Sequence, residues 1–501
     1  MAALNDILAN GRIVAAHRPW PRAIVDAATW QAAIMHLHQG SWTLSGLWGE
    51  PDCVHMAVCE SETNQFAVLS VESPNGRFPS VGQAHPPAIR LERAITDLFG
   101  LIPEGANDTR PWLDHGRWGV RAPLGANQPG PGAAGYEFLP AEGESLHQIA
   151  VGPVHAGIIE PGHFRFTANG EAVVRLEERL GYVHKGIESL MAGADLERAA
   201  KLAGRVSGDS TVAYALAFAR AVEAAAQIEA PPRAHYVRAL LAELERLANH
   251  FGDVGAICND ASFSMLQAHC AVLREHVLRT ADACFSHRLM RDCIVPAGVA
   301  TDLQPEGIAA IRALIDKVRQ TFPALVRLYE NTASLQDRTV TSGILKPALA
   351  QQFGAGGYVG RASGRAFDAR RALPYPPYDK LRFDVPVLAE GDVNARVWIR
   401  IREVDQSLLL IEQILAQLPD GPVRIDIPAR SGEGVAMVEG FRGDILVWLR
   451  LDETGRVTHC HLRDPSWFHW PLLEAAIEGN IVADFPLCNK SFNCSYSGHD
   501  L

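Results

Sequence analysis

The sequence has no closely spaced cysteines. Its 9 cysteines are scattered along the chain, and no two of them stand in a C-x-x-C arrangement. Iron–sulfur clusters and structural zinc sites draw on cysteines at short spacing, and an odd number of scattered thiols does not suit a disulfide framework. We therefore expect reduced, mostly buried thiols, and no metal ion or cluster held by this chain.

The chain also lacks a long apolar run and an excess of positive charge. No stretch approaches the roughly 18 consecutive apolar residues of a membrane-spanning helix, and the N-terminal residues around Asp6 have no basic region of the signal-peptide type. With 46 Lys and Arg against 57 Asp and Glu, the net charge is −11, which argues against nucleic acid as a partner. The expected location is the cytoplasm, with any membrane attachment made through a partner.

The chain is long enough for more than one hydrophobic core, since its 501 residues predict at least two domains. Residues 1–122 read as a small α+β domain, in which β-rich segments precede a helix that ends at Gly100. Residues 123–149 are dense in proline and glycine and predict a linker, and residues 150–501 form the second domain. The predicted strands cover residues 41–49, 53–60 and 65–72, and the predicted helix covers residues 85–100.

The second domain is predicted to be mainly helical, because apolar residues recur at helical spacing in four long segments. A hairpin is predicted over residues 443–464, with its turn at Glu453–Gly455. The fold class is therefore α+β, with a small α+β domain followed by a mainly α-helical bundle domain that carries peripheral β-strands. The four helical segments are residues 231–257, 264–290, 306–333 and 394–418.

The segment GPVHAGIIEPGHFRF, residues 152–166, gathers several polar side chains between glycines and prolines. It contains His155, Glu160 and His163. Such a segment resists regular structure and can direct polar groups into a cleft. The alternative is a pair of strands joined by a turn, with the histidines hydrogen-bonded locally, and spacing alone favours this second interpretation.

Two serines stand three residues apart in GRVSGDSTVAY, residues 204–214. Ser207 and Ser210 have the spacing of a C-x-x-C metal motif, but hydroxyls are poor ligands for the metals that thiolates and imidazoles bind. Taken alone, the segment predicts a helix start, with Ser207 and either Asp209 or Ser210 capping the first turn.

Arg442 and two histidines are further candidates near the C-terminus. Arg442 precedes Gly443 at the start of a predicted strand, and it is either a surface residue or a bidentate donor in a pocket. His459 and His461 lie on one face of the next strand. Two histidines on one face can bind zinc, but no third ligand is evident.

The order of these motifs resembles the large subunit of group 4 nickel–iron hydrogenases, which is itself related to the 49 kDa subunit of respiratory complex I. The resemblance covers residues 150–501, and HPPAIRLERAITDLFGL at residues 85–101 resembles the 30 kDa complex I subunit. Formate-hydrogenlyase-type large subunits carry the same fusion. The motifs are GPVHAGIIEPGHFRF, RLGYVHKGIESL, GRVSGDSTVAY, PPRAHYVRALLAELERLANH, RASGRAFDARR, YDKLRFDVPV, EGFRGDI and RDPSWFHW followed by DFPL and SF.

The resemblance implies that the metal ligands of the hydrogenases are missing here. Where those hydrogenases have RVCGIC, this sequence has RVSGDS, so two ligand positions fall on Ser207 and Ser210. An ungapped alignment from DFPL places the other two ligand positions on Ser495 and Gly498, with Cys494 beside them. The nickel–iron centre is held by four thiolates, so we expect the chain to lack this cofactor and not to be an active nickel–iron hydrogenase by itself.

The residues that contact the quinone headgroup in complex I are also replaced. The second histidine of the complex I loop falls on Ile159, and its headgroup tyrosine falls on Gly208. The sequence is similar to the cysteine-less relatives of energy-converting hydrogenases, which keep neither active site. The resemblance implies a buried polar cavity, in which His155, Glu160, His163 and Arg442 are retained and Asp209 and Tyr214 are new. Of these, His163 is the candidate for cofactor binding and the other five are candidate catalytic groups.

By this resemblance, the chain is expected to be a subunit of a membrane-associated redox complex like hydrogenase or NADH:quinone oxidoreductase. An iron–sulfur small subunit would deliver electrons, antiporter-like membrane subunits would couple ion movement, and the chain would lie on the inner face of the cell membrane through these partners. No cofactor is expected in the chain itself, and a quinone is one acceptor that the resemblance allows. The alternative is a non-catalytic coupling or scaffold subunit of an ion-translocating complex.

Overall fold

A computed structural model describes residues 4–126, 128–130, 135–156 and 159–501 of the chain. The side chains of Gln128 and Pro129 are not among the described features. Residues 127 and 131–134 of the predicted linker, and residues 157–158 of the predicted polar segment, lie outside the described residues.

Helices account for most of the second half of the chain, as predicted. Among the described residues, no helix has both the length and the apolar character that crossing a membrane requires. In the part of the chain that the structure describes, three short 3₁₀ helices cover Pro86–Ala88, Gly208–Ser210 and Val482–Asp484. The α-helices are α1 Leu4–Ala9, α2 Ala27–His38, α3 Ile89–Phe99, α4 Ile187–Met191, α5 Leu196–Ala203, α6 Thr211–Ala226, α7 Pro232–Asp260, α8 Ser264–Phe285, α9 Pro305–Asn331, α10 Ala333–Thr339, α11 Pro347–Gln352, α12 Gly357–Ala362, α13 Ala369–Ala372, α14 Val393–Gln417, α15 Ser466–Ile477, α16 Phe485–Phe492 and α17 Tyr496–Asp500.

The strands form two larger sheets, a three-stranded sheet and several short pairs. They are β1 Arg12–Ile13, β2 His17–Arg18, β3 Arg22–Ile24, β4 Trp42–Glu50, β5 Cys53–Glu60, β6 Phe66–Glu72, β7 Arg77–Pro79, β8 Ile102–Glu104, β9 Val120–Arg121, β10 Gln128–Pro129, β11 Leu146–Val151, β12 His163–Asn169, β13 Ala172–Arg179, β14 Ile294–Val295, β15 Gly298–Val299, β16 Gly432–Glu439, β17 Asp444–Leu451 and β18 Val457–Arg463.

The N-terminal part has the predicted mixture of strands and helices. Its sheet has the order β1-β3-β6-β5-β4, with β4, β5 and β6 antiparallel and β3 parallel to β6. Helix α3 packs against β4 and ends at Gly100, whose φ of 75° is the left-handed conformation that glycine adopts without steric cost. The three predicted strands and this helix are therefore confirmed.

The predicted second domain contains a helical bundle, as the apolar spacing predicts. Helix α7 packs against both α8 and α14, and α9 packs against α8. The core is built from the apolar stripe of each helix, which buries surface that would otherwise face water. On α7 this stripe includes Leu240, Leu244, Leu247 and Phe251, all of which are fully buried.

The C-terminal sheet joins the two predicted domains. Strands β17 and β18 form the predicted antiparallel hairpin, and β16 pairs with both β17 and the N-terminal strand β2. The hydrophobic core that contains Trp30 and Leu47 also contains Phe164 and Trp470 from the predicted second domain. The division at residues 122 and 149 stays a prediction, but the two parts share a core, and β11 begins at Leu146 within the predicted linker.

Candidate functional site

A polar cavity of about 350 Å³ lies where three distant segments of the chain meet. The first segment connects β11 to β12, the second is the 3₁₀ turn before α6, and the third comprises α16, α17 and the residues between them. Arg442, from the connection between β16 and β17, and Asp260, the last residue of α7, complete the wall. Five lining residues were candidates from the sequence, namely Glu160, Ser207, Asp209, Arg442 and Ser495.

The start of α6 is capped differently from the prediction. Ser207 and Ser210 stand at the N-cap positions of the 3₁₀ turn and of α6, as predicted, but neither forms a side-chain capping bond. Instead, the Glu245 carboxylate of α7 accepts hydrogen bonds from the backbone N–H groups of Val212 at 2.7 Å and Ala213 at 3.1 Å. Burial raises the pKa of Glu245 to about 8. A capping group from another helix leaves no local sequence signal, which is why the sequence did not reveal it.

Because Glu245 caps the helix, the serine hydroxyls are free to face one another. The Ser207 hydroxyl donates to Asp209 Oδ1 at 2.6 Å, and its oxygen lies 3.0 Å from the Ser495 hydroxyl oxygen. The backbone N–H of Gly498 donates to Ser495 Oγ at 2.8 Å. The positions that the resemblance assigned to lost metal ligands are therefore brought together by the fold.

Arg442 is a buried donor rather than a surface residue, with 2% of its surface exposed. Its guanidinium contacts Asp209 Oδ2 at 2.6 Å, the Ser210 hydroxyl at 3.1 Å and the carbonyl oxygen of Asn493 at 2.5 Å. Burial alone would raise the pKa of Asp209, but the positive charge of Arg442 and the hydrogen bonds to the carboxylate hold that pKa below its usual value. The arginine therefore keeps Asp209 ionised.

Asp464 occupies space beside Gly498 and was not a candidate from the sequence. A Cβ atom built on Gly498 would lie 2.5 Å from Asp464 Oδ2, far closer than atoms in van der Waals contact. The same carboxylate oxygen accepts a hydrogen bond from the Tyr214 hydroxyl at 2.7 Å. Burial and the charge of Asp464 raise the pKa of Tyr214 well above its usual value. Tyr214 thus holds the Asp464 carboxylate by a hydrogen bond and does not itself line the cavity.

The histidines of residues 152–166 are bonded locally, as the second interpretation predicts. Strands β11 and β12 pair antiparallel, but β11 ends at Val151, before the segment, and β12 begins at His163 within it, so the segment is not itself a strand pair. His155 Nε2 lies 2.7 Å from the carbonyl oxygen of Gly162, and His163 Nδ1 lies 3.3 Å from that of Gly152. Burial lowers the pKa of His163. Neither histidine lines the cavity.

Glu160 does line the cavity and connects it to solvent. Its carboxylate accepts hydrogen bonds from the backbone N–H and the hydroxyl of Ser497, both at 3.1 Å. The residue is exposed, so the cavity is open on this side and not the closed chamber that we expected. The structure therefore brings together Glu160, Asp209 and Arg442, and it leaves His155 and Tyr214 outside the lining.

His459 and His461 lie elsewhere, at the junction between the two sheets. His461 Nδ1 is 2.8 Å from Glu188 Oε1, and its ring stacks on Trp48 with centroids 5.1 Å apart. His459 Nδ1 is 3.5 Å from Glu50 Oε1. Within the part of the chain that the structure describes, no three histidine, cysteine or acidic side chains are grouped as a metal site.

Sequence profiles of three protein families match the chain. The profile of the 49 kDa subunit of the respiratory-chain NADH dehydrogenase matches residues 262–431 and 424–500. The profile of nickel-dependent hydrogenases matches residues 185–252, and that of the 30 kDa subunit of the respiratory-chain NADH dehydrogenase matches residues 25–133. The order of the matches is that of a 30 kDa-like part fused to a 49 kDa-like part.

Individual relatives extend over most of the chain. Formate hydrogenlyase subunit 5 of Escherichia coli is 31% identical over 93% of this chain and 86% of its own length. The carbon monoxide-induced hydrogenase of Rhodospirillum rubrum is 32% identical over 70% of this chain and 98% of its own length. A subunit of the NADH-quinone oxidoreductase of Dehalococcoides mccartyi is 32% identical over 67% of this chain and 93% of its own length.

A solved structure shares the fold. It belongs to an archaeal respiratory membrane complex, the membrane-bound sulfane sulfur reductase, and one of its chains superposes with a TM-score of 0.68 at 24% identity, covering 72% of this chain and 99% of that chain. This likeness concerns the fold alone. Together with the sequence matches, it agrees with the motif order in the sequence. The chain belongs to the family that comprises the large subunits of formate hydrogenlyase and related hydrogenases and the 49 kDa subunit of NADH–quinone oxidoreductase, and it carries a fused 30 kDa-like part.

Proposed function

We propose that the chain is the hydrogenase-large-subunit-like component of a membrane-associated redox complex and that it works without a nickel–iron centre. The relatives are subunits of hydrogenases and of NADH–quinone oxidoreductases, which supports the first part of the proposal. The residues at the four positions that the resemblance gives to the metal ligands support the second part, since none of them is a cysteine.

One observation carries the proposal, namely what stands at the four positions where the family resemblance puts thiolate ligands. Three of them, Ser207, Ser210 and Ser495, offer neutral hydroxyls, and Gly498 offers no side chain. Hydroxyls bind soft and borderline metals poorly, so this donor set does not fit the centre. The space that a side chain at position 498 would need is also occupied by Asp464, whose Oδ2 would lie 2.5 Å from any Cβ at Gly498.

The groups that remain can bind and relay protons. Arg442 holds the Asp209 carboxylate at 2.6 Å, and the hydroxyl of Ser207 links that carboxylate to Ser495 through contacts of 2.6 Å and 3.0 Å. Glu160 lies in the same cavity and faces solvent. In the proposed mechanism, water that enters on the open side at Glu160 exchanges protons with the Ser207 and Ser495 hydroxyls. The Asp209 carboxylate, which Arg442 keeps ionised, orients the Ser207 hydroxyl and does not itself hold a proton.

The partners in this proposal are an iron–sulfur small subunit and antiporter-like membrane subunits. Electrons would reach the cavity from the cluster of the small subunit, and the membrane subunits would hold the chain at the inner face of the cell membrane. The acceptor would be a small oxidant, such as a quinone, that enters from the open side at Glu160. The chain itself would hold no cofactor.

The second candidate function is that of a non-catalytic coupling or scaffold subunit. The specific observation in its favour is that the polar groups of the cavity satisfy one another. The Arg442 guanidinium has three partners, and Asp209 is held by Arg442, Ser207 and Ser210. Polar groups that satisfy one another in this way are typical of a polar core as much as of a reaction site. In a coupling or scaffold subunit, the cavity would only transmit conformational change or protons.

Metal analysis of the intact complex tests the main proposal. The complex is purified under anaerobic conditions and its nickel and iron are measured by plasma emission, with a formate hydrogenlyase preparation as the positive control for nickel recovery. We expect iron in the amount that partner clusters require, no stoichiometric nickel, and no hydrogen evolution. Electron paramagnetic resonance during quinone titration then reports whether the clusters pass electrons onward. One nickel per chain would overturn the proposal.

A further inference from the structure

A second polar cavity, of about 280 Å³, lies away from the site described above. It lies where the turn between β5 and β6 faces the segment between α11 and α13. Neither aspartate nor glutamate is found among the described residues that line it. Its polar lining residues include Thr43, Ser61, Asn64, Gln351, Arg365 and Arg371.

Arg365 is the residue that makes this cavity unusual. Only 9% of its surface is exposed. Its guanidinium donates one hydrogen bond, to the carbonyl oxygen of Ala355 at 3.0 Å, and it lies over the ring of Phe367 at 4.5 Å. It forms no ion pair with any carboxylate of the described residues. A guanidinium has five N–H groups, so most of its donor capacity is unused.

Several other buried arginines of the chain have a carboxylate partner. Arg361 lies 2.7 Å from Glu403, and Arg400 lies 3.0 Å from Asp253. Arg365 has no such partner among the described residues, and burial lowers the pKa of its guanidinium even though the charge of Asp444 acts in the opposite direction. The guanidinium of Arg365 therefore has N–H donors without a protein partner at a cavity that no described carboxylate lines, which suits an anion.

Arg371 supplies a second positive charge on the same cavity. It lies in α13, its side chain is exposed, and no described carboxylate pairs with it. Two guanidinium groups can offer parallel N–H donors to the oxygens of a carboxylate or phosphate. The hydroxyl and amide side chains around them add neutral donors, and no acidic group of the described lining opposes an anion.

We propose that this cavity binds a compact oxyanion, the phosphate or carboxylate group of a small metabolite, between Arg365 and Arg371. The N-terminal sheet and the α11–α13 segment both contribute to the wall, so a bound anion would join these two parts of the chain. The proposal is independent of whether the first cavity holds nickel or carries out redox chemistry.

Isothermal titration calorimetry of the purified full-length protein tests the proposal with two probes, inorganic phosphate and succinate, at ionic strength kept constant with sodium chloride. We expect saturable binding of at least one probe, and the stronger probe identifies the phosphate or the carboxylate as the preferred group. Arg365→Gln should weaken binding roughly 10- to 100-fold, because it removes a charged, buried donor. Arg371→Gln should weaken it by about 3- to 10-fold, because this side chain is exposed to water.

Arg402→Gln is the matched control, since Arg402 is exposed on α14 and does not line the cavity. It should leave binding unchanged. If Arg365→Gln fails to fold, Arg371→Gln decides alone, since its side chain is exposed and its removal leaves the core intact. The absence of saturable binding of both probes would overturn the proposal, and so would binding that Arg371→Gln and Arg402→Gln leave equally strong.

Discussion

Replacing Arg442 by methionine tests the role of the first cavity most directly. Methionine keeps much of the length and the apolar packing of arginine, including contact with the Phe441 ring that the guanidinium overlies at 4.6 Å. It removes the ion pair with Asp209 at 2.6 Å and the hydrogen bonds to Ser210 and to Asn493. The Asp209 carboxylate then loses its counter-ion while staying in a polar but partly enclosed place.

The expected loss of stability follows from these contacts. A hydrogen bond to a charged group contributes about 1.5 to 3 kcal/mol to the free energy of unfolding, but bonds of one group are not additive. The side chain of Asp209 is 35% exposed, so water can solvate the carboxylate again and screens the loss. We therefore expect Arg442→Met to lower the free energy of unfolding by about 2 to 3 kcal/mol at neutral pH, less than the roughly 3 to 5 kcal/mol of a fully buried pair.

The loss should depend on pH in a defined direction. In the natural protein the folded-state pKa of Asp209 is lowered, so the ion pair stabilises the fold above the unfolded pKa of 3.8 and this contribution disappears as the pH falls through the lower folded value. In Arg442→Met the charge that lowers this pKa is removed while burial and the Ser207 and Ser210 hydroxyls remain, so the folded-state pKa of Asp209 rises. The difference in stability between the two proteins should therefore be largest near pH 7 and shrink as the pH falls through the folded-state pKa of Asp209 in each protein.

Urea unfolding at several pH values measures this difference, and Arg402→Met on the exposed face of α14 serves as the control. The double variant Asp209→Asn/Arg442→Met should be less destabilised than the sum of the single variants, because each removes the same pair. A penalty independent of pH, or strictly additive variants, would show that the pair does not act as described.

The same variant separates the two candidate functions. If the cavity is a reaction site, complexes with Arg442→Met should assemble with their full set of subunits and lose electron transfer to the quinone. If the chain is a coupling or scaffold subunit, those complexes should keep electron transfer once assembled, and at most ion coupling should change. The assay compares subunit content with electron transfer to a quinone in the same preparation, so a failure of assembly cannot be mistaken for a loss of activity.

Three further predictions concern a buried glutamate and several glycines of the predicted second domain. Burial raises the pKa of Glu245 from 4.5 to about 8, so stability should fall as the pH rises between these values, and Glu245→Gln, measured by thermal unfolding, should flatten that decline. Gly498→Cys should be strongly destabilising because its Cβ would lie 2.5 Å from Asp464 Oδ2, and adding Asp464→Ala should recover part of the loss in the same assay; equal losses would contradict the steric cause. Gly434→Ala should lower the free energy of unfolding by about 3 kcal/mol or more, since its Cβ would overlap the backbone oxygen of Ala221 in α6. Gly208→Ala is the control, since a Cβ at Gly208 would meet no atom within 4 Å, and it should leave solubility and melting temperature unchanged.

The elements and the family were accessible from the sequence because their signals are local. The apolar stripe of α7 predicts a buried helix wherever that helix packs, and the hairpin of β17 and β18 turns at the residues that its own turn chemistry predicts. The motif order predicted the family, and the profiles confirm it. The serines at positions 207 and 210 were equally visible, and their interpretation as replaced metal ligands rests on the family resemblance.

What tertiary structure alone decided is which groups meet. Glu245 caps α6 from another helix, and Asp464 occupies the space beside Gly498. Arg442 pairs with Asp209 although more than two hundred residues separate them in the sequence. None of these contacts has a local pattern, because hydrogen bonds and steric exclusion act between side chains that the fold brings together. For the same reason the sequence could place His155 in a polar segment, but only the fold shows that its ring bonds to a neighbouring carbonyl and stays outside the cavity lining.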